Sequence, residues 1–179
     1  MTDQRLFDAA RIRPATPDDA PALAQVNLHT WQATYRNLLS DGYLDALTAQ
    51  VAERAEVLRD AIARHAYSVW VVEQGGRVVA WASFGLSRDK GTAADSGELR
   101  AINLLPEVWA QGLGRRLWET VRDQLQAAGF NTVTVWVIPG NARAVGFYEA
   151  VGFVEEPDTA TTVIDRGEPL PLVRYRIAL

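Results

Sequence analysis

The stretch from Gly97 to Leu117, GELRAINLLPEVWAQGLGRRL, leaves few options for the chain around it. Leu99 to Leu105 is short and almost wholly apolar, and Pro106 ends it because proline lacks the backbone donor that a strand ladder needs. A buried strand is expected there. Beyond it, Leu113, Leu117, Val121 and Leu125 recur every four residues with Arg115, Arg116, Glu119 and Arg122 between them, which predicts an amphipathic helix opening near Gly112. The first N–H groups of a helix have no intrahelical partner, and the macrodipole adds roughly half a positive charge. Glycines at 112 and 114 let an anion come close to those donors. Arg115 and Arg116 have the wrong sign for a bare helix start, a cost of roughly a few tenths of a kcal/mol each that a bound polyanion would reverse. The stretch reads either as a site for a phosphate-bearing ligand or as a glycine-loosened turn with two solvated arginines.

A second landmark is NARAVGFYEAVGF, Asn141 to Phe153, which follows a β-type run, Thr132 to Ile138, and a Pro139-Gly140 turn. Asn141 suits a helix N-cap, and Gly152 followed by Phe153 suits the matching stop. Asn141 and Tyr148 are seven residues apart, two helical turns, so both side chains leave the same side and can share one ligand.

With these two motifs the chain resembles the GNAT superfamily of acetyl-CoA-dependent N-acetyltransferases. The family's pyrophosphate loop, Gln/Arg-x-x-Gly-x-Gly/Ala after a strand ending in a Val-x-Pro-like step, matches Leu104-Leu105-Pro106 and then Trp109 to Gly114, with Trp109 departing from the Gln/Arg position. The later Asn-x-x-Ala-x-x-Phe-Tyr-x-x-x-Gly-Phe matches Asn141, Ala144, Phe147, Tyr148, Gly152 and Phe153 without a gap. The resemblance is strong from Glu98 to Phe153 and looser elsewhere. It implies an α/β fold: a mixed, mostly antiparallel central sheet with helices on both faces and a splayed pair of parallel strands. It also implies acetyl-CoA as co-substrate, bound through Ile102, Asn103, Leu104, Gln111, Gly112, Leu113, Gly114, Arg115, Asn141 and Tyr148.

The rest of the chain agrees with one domain over residues 11–179 after a flexible tail, 1–10. A strand at Arg11 to Pro14 leads to a helix from about Pro17 to Tyr35, with Thr16 as cap and Asp19 in an acidic first turn. Ser40-Asp41-Gly42 reads as a turn, Tyr43 to Leu47 as a short helical piece, and Thr48 to Arg64 as a further helix. Tyr67 to Glu73 and Arg77 to Gly85 form a hairpin, and Ser87 to Ser96 is loop. Glu155 to Glu168 is a polar stretch, and Leu170 to Ala178 a terminal strand.

Composition removes other classes. Apolar residues make up 48% of 179, enough for a proper core, and the net charge of −4 comes with basic residues scattered among acids, so no nucleic-acid stripe is expected. No apolar run is long enough to span a bilayer and no secretory leader is visible, which points to a cytoplasmic protein with no membrane partner. With no cysteine, and only His29 and His65, disulfides, thiolate chemistry and a metal site are not expected. A Rossmann reading of Gly112-x-Gly114 lacks its third glycine, since position 117 is Leu117.

Acetyl transfer to an amine requires a neutral amine, a held oxyanion and a proton for the leaving thiolate. The resemblance puts the Tyr148 hydroxyl near the cofactor sulfur as general acid; on its own the residue reads as a core aromatic. Glu98, at the start of the strand facing the thioester, stands where several family members carry a catalytic glutamate, and is otherwise a solvated strand-end acid. A backbone N–H near Ile102 would hold the oxyanion. Asn141 caps its helix, bonds the cofactor, or does both. The function implied is transfer of acetyl from acetyl-CoA directly to a primary amine of a small molecule or peptide; the alternative is a non-catalytic acyl-CoA sensor on the same fold. In the family the acceptor sits between the first helices and the final hairpin, where Asp41, Asp45, Glu155, Glu156, Asp158 and Asp165 lean toward a cationic amine. A homodimer is left open.

Overall fold

The computed structural model describes residues 10–179, so the expected tail lies outside the described residues except for Ala10, which is buried. Seven strands form one sheet: β1 (Arg11–Pro14), β2 (Ser68–Gln74), β3 (Arg77–Leu86), β4 (Ser96–Leu104), β5 (Thr132–Val137), β6 (Val154–Asp165) and β7 (Glu168–Ala178), in the order β1-β2-β3-β4-β5-β7-β6. Five helices accompany it: α1 (Ala20–Tyr35), α2 (Asp41–Ala49), α3 (Val51–Ala63), α4 (Leu113–Ala127) and α5 (Ala142–Ala150). Every strand pair is antiparallel except β4–β5.

The seven residues Val78 to Phe84 on β3 are all buried, which a strand achieves only when both sheet faces are covered. On one face Trp81 donates its indole N–H to the Leu23 carbonyl of α1, 3.0 Å away. The stripe foreseen on α4, Leu113, Leu117, Val121 and Leu125, is buried to within 1% of complete, with Trp118 beside it. The β2–β3 hairpin turns at Gly75-Gly76 as expected, and Asp19 closes the chain's entry by accepting from the Thr16 N–H at 2.7 Å.

Parallel pairing of β4 with β5 covers only Ser96↔Thr132, Gly97↔Val133 and Glu98↔Thr134. Beyond Glu98 the two strands part, β4 continuing to Leu104 and β5 to Val137, so the expected splay is present. On its other edge β4 pairs with β3 through a bulge: Ala101 faces Ser83 and Leu99 faces Phe84, leaving Arg100 as the extra residue.

Two segments differ from the sequence expectation. Ser40 is an N-cap, its hydroxyl accepting from the Tyr43 N–H at 3.2 Å, so α2 starts at Asp41 and runs to Ala49 where a turn and a short piece were expected. The polar stretch after Phe153 is strand β6. It lies at the sheet edge with neither face covered, so burial imposed no apolar alternation on it.

Candidate active site

A cavity of about 360 Å³ lies where β4 and β5 part. Ile102 and Leu104 line it from β4, Gly112, Gly114 and Arg115 from the start of α4, Asn141 and Tyr148 from α5, and Thr30 and Thr34 from α1. The two motifs that stood apart in the sequence therefore meet around one space.

At one end is the N-terminus of α4. Gly112, the N-cap, has φ +81, a left-handed conformation that costs glycine little. A Cβ at Gly114 would stand 3.4 Å from the Phe147 ring and 3.5 Å from Leu104, so the bare glycine keeps the cavity floor low. Ala110 in the same loop also has positive φ, +58, in a residue that rarely adopts it. Arg115 lines the cavity and donates to the Ala150 carbonyl at 3.3 Å, whereas Arg116 turns to the Ala10 carbonyl. The Leu113 side chain is fully buried in the core, so it can serve a ligand only through its backbone, and the Gln111 amide donates to the Glu107 carbonyl at 2.8 Å.

Sequence reasoning left Trp109 unplaced and missed Arg143. Both line the cavity, with the Arg143 guanidinium stacked over the Trp109 ring at 4.1 Å from its centroid. The Trp109 indole N–H donates to the Leu104 carbonyl at 2.8 Å, and the Thr30 hydroxyl donates to the same oxygen at 2.9 Å. Arg115 and Arg143 thus give the loop end of the cavity two cations besides the helix N–H groups, a donor set that fits phosphate oxygens. The visible signal was the tryptophan in a position expected to be Gln or Arg.

At the other end stand Asn141 and Tyr148. Asn141 caps α5, its side-chain oxygen accepting from the Ala144 N–H at 3.0 Å, while its amide donates to the Tyr35 hydroxyl at 3.2 Å. Tyr148 is 6% exposed, and its ring is wedged against Phe147 and Phe153 at centroid distances of 5.4 and 5.5 Å. No described residue hydrogen-bonds its hydroxyl. Burial, with a smaller contribution from Tyr35, raises its pKa well above the ordinary phenol value, so the hydroxyl stays protonated at neutral pH. It is a donor without a recipient among the described residues.

Glu98 lies differently from the sequence expectation. Glu98 is the last β4 residue paired with β5, at the apex of the fork, but it does not line the cavity. It is 2% exposed, and both carboxylate oxygens are engaged by Arg88: Oε2 accepts from the backbone N–H at 3.0 Å and from Nε at 3.1 Å, and Oε1 accepts from Nη2 at 2.5 Å. The bulge at Arg100 has turned Glu98 to the face opposite Leu104: its neighbour Gly97 faces Leu125 of α4, as Leu104 faces Gly114 of α4. The Asn103 side chain points toward α1, where its oxygen accepts from the Asn27 amide at 3.3 Å, so only its backbone can serve the cavity.

Comparison with known proteins bears on this geometry. The family model described as acetyltransferase (GNAT) family matches residues 29–153. The uncharacterised N-acetyltransferase YuaI of Bacillus subtilis is 34% identical over 140 residues, covering 78% of this chain and 77% of that protein. The [ribosomal protein bS18]-alanine N-acetyltransferase of Escherichia coli (strain K12) is 34% identical over 89 residues, 50% of this chain and 56% of the relative. Among solved structures, the PaiA N-acetyltransferase of Thermoplasma acidophilum in complex with coenzyme A superposes with a TM-score of 0.74 at 18% identity, covering 94% of this chain and 99% of that one.

Proposed function

The chain belongs to the GNAT acetyltransferase family and is an acetyl-CoA-dependent acyltransferase; from that premise we propose that it transfers acetyl directly to a primary amine of a small molecule or peptide. The observation that carries the reading is the single cavity joining helix donors and two guanidiniums at one end to the unpartnered Tyr148 hydroxyl at the other.

Acetyl-CoA brings the acetyl group as a thioester, whose C–S bond breaks as the C–N bond to the amine forms. In this reading the N–H groups from Gly112 to Arg115, with the Arg115 and Arg143 side chains, hold the pyrophosphate. The β4 edge freed beyond Glu98 takes the extended arm, and a backbone N–H at or beside Ile102 meets the oxyanion. Tyr148 donates its proton to the departing sulfur. The amine's proton leaves to water: Glu98, first read as the base, has both oxygens occupied by Arg88 and serves to fix the fork's apex. The relative that acts on ribosomal protein alanine supports an amine acceptor in general.

The test is purified protein with acetyl-CoA and a free-thiol readout over amino acids, polyamines, aminoglycosides and peptide N-termini. Thiol release with at least one amine, and a rise in melting temperature on adding CoA, are expected. No release with any class and no CoA-induced shift would overturn the reading.

A further inference from the structure

A second cavity, of about 270 Å³, opens between α1, α2, α3 and the β6–β7 turn. It shares a wall with the first: α1 presents Thr30 and Thr34 to one and Asn27 and Trp31 to the other. Asn27 is bonded to Asn103, which lies between Ile102 and Leu104 on β4. Its volume is just below the range usual for drug-sized ligands, which suits a small molecule better than a folded partner.

The charges around it are unusual. Arg54 and Arg166 both line the cavity, and neither makes an ion pair or hydrogen bond with any described residue. Asp165 and Glu53 also line it, making the lining neutral overall, but Asp165 accepts from the Tyr43 hydroxyl at 2.5 Å. Crowding by the protein holds Arg54 below its ordinary pKa, and Arg166 lowers it further, an arrangement that a bound anion relieves. Arg166 has φ +50 in a two-residue turn with Gly167, a conformation that Asn or Gly would adopt at lower cost. The turn is held in place: the Glu168 carboxylate accepts from the Ser40 N–H at 2.9 Å and from its hydroxyl at 2.7 Å. Three of the six acids that leaned toward a cationic acceptor are engaged inside the fold, Glu155 by Tyr175, Glu156 by Arg174 and Asp165 by Tyr43.

We propose that the acceptor is a free α-amino acid with an apolar side chain, its carboxylate held between Arg54 and Arg166. The inference rests on the acetyl-transfer reading above. Two cations without partners match the carboxylate, Leu28, Leu47 and Val51 match the side chain, and Asn27, which lines this cavity and bonds Asn103 of β4, sets the site beside the forked strand. A neutral lining with both signs present suits a zwitterion better than a simple acid.

The experiment titrates CoA-saturated protein with L-leucine and L-phenylalanine, and with isoamylamine and phenethylamine, the same skeletons without the carboxylate. Calorimetry should show the amino acids binding about tenfold or more tightly than the amines, and Arg54→Gln or Arg166→Gln should abolish that preference. Neither guanidinium bonds to another described residue, so the variants should melt with the parent. Amines binding as well as amino acids, unchanged preference in both variants, or no binding of either amino acid would overturn the proposal. Thiol release is measured in parallel: release with amines but no carboxylate preference sinks this proposal alone, whereas absence of release with every acceptor sinks the acetyl-transfer reading while the binding preference still decides the carboxylate.

Discussion

The two ends of the β4–β5 fork handle polarity in opposite ways. Near the apex acids are met by cations, Glu98 by Arg88, and Asp89 at 2.9 Å and Glu156 at 2.6 Å by Arg174, while Asp89 also accepts from the Trp136 indole; only Arg100 Nε and the Thr134 hydroxyl stay buried there without a partner among the described residues. Toward the open end the Tyr148 hydroxyl and the N–H groups at the start of α4 have no such partners. Buried or half-buried groups that satisfy one another rigidify a fold, and groups left over at a cavity are available to a ligand. The contrast separates a frame from a working surface within one strand pair.

The sharpest way to break that contrast is Tyr148→Phe. If the hydroxyl belongs to the working surface, the rate should fall by roughly 10² to 10⁴ with a good acceptor while the melting temperature barely moves, because no protein bond is lost. Full turnover with chemistry limiting the rate would make Tyr148 a packing residue. Next comes Gly114, where a single Cβ meets Phe147 and Leu104 at ordinary contact distance but a branched side chain does not fit. Gly114→Ala should bind CoA nearly as the parent does, and Gly114→Val should weaken it by about a hundredfold, roughly 2.7 kcal/mol; equal calorimetric affinities for both variants would remove the cradle from this loop.

On the frame side, Glu98→Gln should cost about 1–3 kcal/mol of stability in denaturant titration, since it removes a charge from a buried pair whose other member is largely exposed. The shape of its pH–rate profile should match the parent's. A rate lost only at low pH would return Glu98 to the role of base. The smallest effect is expected remote from the fork, at Asp19, whose pKa is lowered first by hydrogen bonds from Arg13. A lowered carboxyl adds stability that is present above its unfolded pKa and lost as pH falls through the folded value. Asp19→Asn should therefore flatten the acid limb of a stability–pH curve below about pH 4, by about 1 kcal/mol or less.

Local chemistry explains what could be read from the chain. Gly112, Gly114, Asn141 and the stripe of α4 are determined by their neighbours in sequence, through caps, turn conformations and periodicity, and they appear where expected. Contacts that join distant residues have no such signature. Arg88 reaches Glu98 across the β3–β4 loop, Arg143 of α5 stacks on Trp109, and Arg166 in the β6–β7 turn comes near Arg54 of α3. The final hairpin was implied only by the resemblance, and its first strand, β6, left no pattern of its own for the converse reason, that an uncovered edge asks nothing of its side chains.

The extra residue at Arg100 acts as a parity switch. In an unbroken strand Glu98, Ile102 and Leu104, all even positions, would share a face. One inserted residue reverses the count, so that an acid six positions before Leu104 emerges on the opposite side of the sheet. Removing that residue would leave every other side chain of β4 chemically unchanged and yet exchange which of them see the ligand on one side of the break. Along this strand identity and position are therefore separate inheritances: substitutions alter the first, and only an insertion or deletion alters the second.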